Sequence, residues 1–83
     1  MPFVYILKCS DTSFYTGSTI NLEKRLLEHN TKKSGAHYTK IRRPVNLVYH
    51  EEVATLGMAR SREAQIKRLT REEKIALIVG MVN

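Results

Sequence analysis

Tyr5, Tyr15, Arg25 and His29 fall together within 25 residues of the chain. Tyrosine and histidine exchange protons, and arginine offers an anion a rigid fork of donors. Each has an ordinary explanation when taken alone. Tyrosines in strands are commonly core aromatics. An arginine can bury its stem and leave its head in water, and a histidine can cap a nearby carbonyl. As a set they are more chemistry than a small core needs.

The elements that must position them are legible locally. Phe3-Val4-Tyr5-Ile6-Leu7 and Phe14-Tyr15-Thr16-Gly17-Ser18 are rich in aromatic and β-branched residues, and Ser10-Asp11-Thr12-Ser13 between them is a turn sequence. The pattern predicts a hairpin with Tyr5 and Tyr15 on neighbouring strands. Residues 3–9 alternate Phe3, Tyr5, Leu7 and Cys9 with Val4, Ile6 and Lys8. Apolar residues on both faces predict a central strand covered on both sides. Gly17 permits close approach of a backbone or a ligand.

Asn21 is an N-cap for a helix over 22–30. At about 100° per residue, Arg25 and His29 lie within roughly 60° of Leu22 and so flank the face that packs on the sheet. Residues 31–44 read as a basic loop in which His37 and Tyr38 sit among Lys32, Lys33, Lys40, Arg42 and Arg43, without a carboxylate. Tyr38 could stack on a base or bury against the core. Residues 45–52 read as a third strand with Val45, Leu47 and Tyr49 sharing a face. Thr55 caps a helix through Leu69. Ala59, Ile66 and Leu69 mark its inner side, and Glu63 lies just off that side. Thr70 and Glu73 fit a capping box, opening a last helix that Gly80 is expected to end. The expected fold is one small α/β (α+β) domain over 1–83, a three-stranded mostly antiparallel sheet flanked by helices in the order ββαβαα.

Composition narrows the function. Lys and Arg outnumber Asp and Glu 14 to 8, a formal net charge of +6. The basic stretch can neutralise phosphates and release counterions, or it can be a solvated face. Cys9 is the only cysteine, which excludes an intrachain disulfide and a thiolate zinc site and points to a reducing, cytoplasmic setting. No apolar run is long enough to cross a bilayer, and Met1-Pro2-Phe3 lacks the basic start of a secretory signal.

In order, these residues resemble the GIY-YIG nuclease superfamily, in particular its small stand-alone bacterial branch. Phe3-Val4-Tyr5 matches the first motif half and Tyr15-Thr16-Gly17 the second, with the tyrosines ten positions apart and Arg25 and His29 on the helix that follows. Arg62-Glu63-Ala64-Gln65-Ile66-Lys67 with Leu69-Thr70, Gly35-Ala36 with Thr39, and Arg43-Pro44 resemble the stand-alone branch. Phe3 replaces the first glycine of the motif and Thr16 the isoleucine. Ser18 stands where some members carry a lysine, His37 only approximates a further histidine of some members, and Asn83 is a poor match for a late asparagine.

The resemblance implies a metal-dependent endonuclease that hydrolyses DNA phosphodiester bonds, selects structures rather than sequences, and acts in repair or recombination. It implies one Mg²⁺ or Mn²⁺ held by Glu63, Arg25 on the phosphate, and Tyr5 as general base with Tyr15 and His29 orienting it or the water. Glu63 has a plainer reading as the partner of Lys67 at i, i+4. The nucleic-acid-binding set is expected to be Lys32, Lys33, His37, Lys40, Arg42 and Arg43. DNA is the expected partner, RNA stays open, no membrane is involved, and a protein partner or homodimer could sharpen selection. The alternative is a non-catalytic nucleic-acid-binding module that uses loop 31–44.

Overall fold

The computed structural model describes residues 1–32 and 35–82, and Lys33 and Asn83 lie outside the described residues. Strands β1 (Phe3–Lys8), β2 (Phe14–Thr19) and β3 (Asn46–Glu52) form one sheet in the order β2-β1-β3, with both pairings antiparallel. The expected central strand is therefore the central strand. Its alternation divides the core. Val4 and Ile6 face a layer that includes Tyr49, Ala59 and Ile66, and Tyr5, Leu7 and Cys9 face one that includes Leu22, Leu26, Tyr38 and Val45.

Helix α1 (Leu22–Thr31) covers the Tyr5 face, while α3 (Leu56–Lys67) and α4 (Arg71–Val82) cover the other. Their starts are the ones the sequence marks. Asn21 accepts from the Lys24 amide at 3.1 Å and Thr55 from the Met58 amide at 3.1 Å. Thr70 and Glu73 exchange bonds of 3.2 and 2.9 Å in a capping box.

Three expectations need correction. Residues 31–44 are not all loop, because a single turn of helix, α2 (His37–Lys40), lies inside them, and the observed order is ββααβαα. No side chain caps α2 at Ala36, so the sequence carried no start signal. Gly80 does not end α4, which runs on to Val82. Finally, Val45, Leu47 and Tyr49 do not share a face. Tyr49 pairs with Ile6 while Leu47 pairs with Leu7, so Val48 is an extra residue between them. This bulge shifts the alternation and sends Tyr49 to the α3 side.

The segment after α1 is fastened by side chains. Arg43 donates to the carbonyls of His29 at 2.6 Å, Lys32 at 2.7 Å and Glu28 at 3.3 Å, and so caps the C-terminal end of α1. Gly35 is buried against the same end, and a Cβ there would lie 2.5 Å from the Glu28 carbonyl oxygen. Asn30 pairs with the Val45 backbone in both directions, at 2.8 and 3.1 Å, and sets the start of β3. The Arg43–Pro44 peptide is cis.

Candidate active site

Tyr5 lies mid-strand, where both faces of the sheet are covered. Its partner across the β1–β2 pair is Gly17, and a Cβ on Gly17 would lie 2.5 Å from the Tyr5 hydroxyl. The missing side chain is what lets the phenol lie over β2. Its hydroxyl is 2.9 Å from His29 Nε2. His29 comes from the last turn of α1 and is fully buried, and its Nδ1 is 2.7 Å from the Thr39 hydroxyl on α2. Thr39, also fully buried, donates to the Ala36 carbonyl at 2.8 Å.

Tyr15 stands beside this pair. Its ring centroid is 5.1 Å from His29, 6.5 Å from Tyr5 and 5.9 Å from Tyr38. Tyr38 thus packs on the core, and its other neighbour is the Arg42 guanidinium, 3.8 Å from the ring centre. Arg25 sits one turn before His29, is half-buried, and lies 3.6 Å from Glu28. Its positive charge also bears on the Tyr5 hydroxyl.

Burial dominates the electrostatics. It pushes the Tyr5 phenol up to about 12, against the pull of Arg25. It lowers His29 to about 4, helped by the positive charges of Arg25 and Arg43. His29 is therefore a neutral imidazole at physiological pH.

Glu63 meets β2 from the opposite layer. Gly17 and Ser18 alternate across β2, so Ser18 faces α3 and its hydroxyl donates to Glu63 Oε1 at 2.7 Å. The other carboxylate oxygen is 2.7 Å from Lys67 Nζ. The pairing with Lys67 read as the plain alternative is thus present. Glu63 is also close enough for its charge to bear on Tyr5. Among the described residues no three of His, Cys, Asp or Glu converge on one point. A hydrated Mg²⁺ takes few protein ligands. Glu63, with one partner on each oxygen and lone pairs to spare, fits as a single ligand of that kind.

The basic residues divide. Arg43 is committed to the end of α1, as described. Arg42 donates to Asp11 at 3.0 Å and to the Tyr38 carbonyl at 3.0 Å while it covers the Tyr38 ring. Lys32 and His37 are exposed and Lys40 is half-buried. Sequence reasoning placed Thr39 only in a branch pattern and gave it no role at the site. A threonine in a basic loop carries no signal of burial, and its partner His29 is ten positions away.

The GIY-YIG catalytic domain family matches residues 1–76. The chain belongs to the GIY-YIG family. Among its relatives is a UPF0213 protein of Syntrophus aciditrophicus, 59% identical over 76 residues that make up 92% of this chain and 87% of that one. A UPF0213 protein of Clostridium perfringens is 55% identical over 94% of this chain and 83% of its own. The solution NMR structure of a UPF0213 protein from Bacillus halodurans superposes with a TM-score of 0.60 at 36% identity, covering 95% of this chain and 84% of the other. The two stretches that resemble the motif, Phe3-Val4-Tyr5 and Tyr15-Thr16-Gly17, lie on β1 and β2, and Tyr5 and Tyr15 both lie on the α1 side of the sheet.

Proposed function

We propose that this chain is a divalent-metal-dependent endonuclease that hydrolyses DNA phosphodiester bonds and selects its substrate by structure. The observation that carries the reading is the Tyr5 hydroxyl held 2.9 Å from Nε2 of the neutral His29 ring, with the Arg25 charge bearing on it. A catalytic base must pass a proton on, and it must do so beside the charge it helps to create.

A water gives its proton to the Tyr5 oxygen as Tyr5 passes its own proton to His29. The water oxygen attacks phosphorus, the bond to the 3′ oxygen breaks, and that oxygen takes a proton from solvent water while His29 returns its own to solvent. Arg25 holds the phosphate oxygens and stabilises the charge that gathers on them. Tyr15 packs against the His29 ring and limits its motion. When bound at Glu63, one Mg²⁺ or Mn²⁺ would polarise the phosphate and assist the departing oxygen. With burial holding the Tyr5 phenol near 12, positive charge at this spot favours the proton's departure.

A binding module without catalysis is the weaker reading. Two of its expected phosphate contacts, Arg42 and Arg43, spend their donors on the fold. A role in repair or recombination in the cytoplasm accords with a small structure-selective nuclease.

The test is cleavage of labelled duplex, single-stranded, flap and branched DNA with Mg²⁺ or Mn²⁺. Glu63→Ala and Tyr5→Phe are each expected to lower the rate by about 10²-fold or more. Cleavage that survives Glu63→Ala would sink the metal assignment. Salt-sensitive binding with no cleavage by the parent would favour the binding module.

A further inference from the structure

Three hydrogen bonds run in series through the site. Tyr5 meets His29 Nε2 at 2.9 Å, His29 Nδ1 meets the Thr39 hydroxyl at 2.7 Å, and Thr39 meets the Ala36 carbonyl at 2.8 Å. Tyr5, His29 and Thr39 can each both give and receive. The Ala36 end cannot, because a carbonyl only accepts. With that end fixed, one direction satisfies every bond: Thr39 donates to Ala36, Nδ1–H to Thr39, and Tyr5 to Nε2.

We propose that Thr39 is a positioning residue that fixes His29 in the Nδ1–H tautomer and so leaves Nε2 bare to receive the proton of Tyr5. This rests on the nuclease reading of the same site. A neutral imidazole has one N–H and one bare nitrogen, and the bond made by the first decides what the second can do. Thr39 is suited to that task. Its hydroxyl has a single proton, and the turn of α2 directs that proton back to the carbonyl three residues earlier, a habit of helical threonine. What it presents to His29 is then a lone pair. The reverse order would point Nε2–H at Tyr5, and the phenol proton would lose its acceptor at a buried position. In that order Tyr5 could pass nothing to His29. Thr39 touches neither water nor phosphate in this scheme and acts only through the imidazole.

The full chain, labelled with ¹⁵N at its three histidines, gives the answer in long-range ¹H–¹⁵N correlation spectra, with His29 identified by the signals that His29→Gln removes. The parent and Thr39→Ser are expected to show Nδ1 protonated and Nε2 bare. Thr39→Val keeps the shape and loses the acceptor. It is expected to show a mixture of tautomers or Nε2–H. Its cleavage rate is expected to fall about 10- to 100-fold at nearly unchanged KM, the range seen when a group that orients a histidine is removed, and Thr39→Ser is expected to restore it. An Nε2–H signal in the parent overturns the proposal, and so does an unchanged Nδ1–H signal in Thr39→Val. If Thr39→Val does not fold, the spectrum of the parent decides alone. The expected tautomers in a parent that cuts no DNA would support the order of the chain and overturn the nuclease reading.

Discussion

His29 shows how a single side chain can be costly to the fold and useful to the site. It is fully buried, and its acidity is shifted from the ordinary 6.5 to about 4. The unfolded chain therefore takes up a proton at a pH where the folded chain does not. Stability is complete above about pH 6.5 and is lost as the pH falls toward 4. The loss should be on the order of 2 kcal/mol, read as a lower urea midpoint at pH 4.5 than at pH 7.5. His29→Gln should flatten that dependence, and an equal slope in both proteins would show that other groups carry it. Tyr5 and Arg25 were legible as chemistry from type and spacing. Thr39 was not, because a hydroxyl acquires its meaning from the two groups it bridges, and neither is adjacent in the chain. Lys67 was legible for a local reason, since i, i+4 neighbours on a helix meet wherever the helix lies.

Elements were legible in proportion to how local their causes are. Asn21, Thr55 and Thr70 each bond to the amide three positions on, and the starts of α1, α3 and α4 stand where those residues predict them. The bulge at Val48 was hidden because it answers to the register of β1, four elements earlier. The role of Arg43 was hidden for the same kind of reason. It reads as one more cation in a basic run, yet it binds three carbonyls at the end of α1. Arg43→Met should therefore lower stability by about 2 kcal/mol, a fall of roughly 10 °C in Tm by calorimetry. Arg43→Lys should not recover it, because a point charge cannot span the three acceptors. A variant as stable as the parent would show that the cap contributes nothing.

At the scale of the whole molecule the net charge of +6 overstates what is free to meet DNA. With Arg42 and Arg43 tied to the fold, Lys32 and Lys40 remain as the described cations of the 31–44 stretch, and Arg25, which the proposed mechanism sets on the phosphate, would make a third. Each neutralised phosphate adds about −0.9 to the slope of log K against log salt. Binding of duplex DNA between about 50 and 200 mM salt should then follow a slope of about −3. A slope near −5 would mean that Arg42 and Arg43 leave their bonds to join the interface. Thr16 gains no such meaning even at this scale. It stands where the GIY-YIG motif has isoleucine, and its buried hydroxyl finds no partner among the described residues. Nothing in the structure explains that choice.

The sheet does more than support the site, because β2 divides it. Tyr15 and Gly17 look one way and Ser18 looks the other, so phenol and imidazole are gathered on one side and carboxylate on the other. That division follows from parity. One residue added within β2 would exchange the two sets, bringing a side chain under the phenol and turning the hydroxyl away from Glu63. Two residues would restore the sides but not the pairing. Surface loops elsewhere can vary in length by any number, whereas this strand can be counted in only one way.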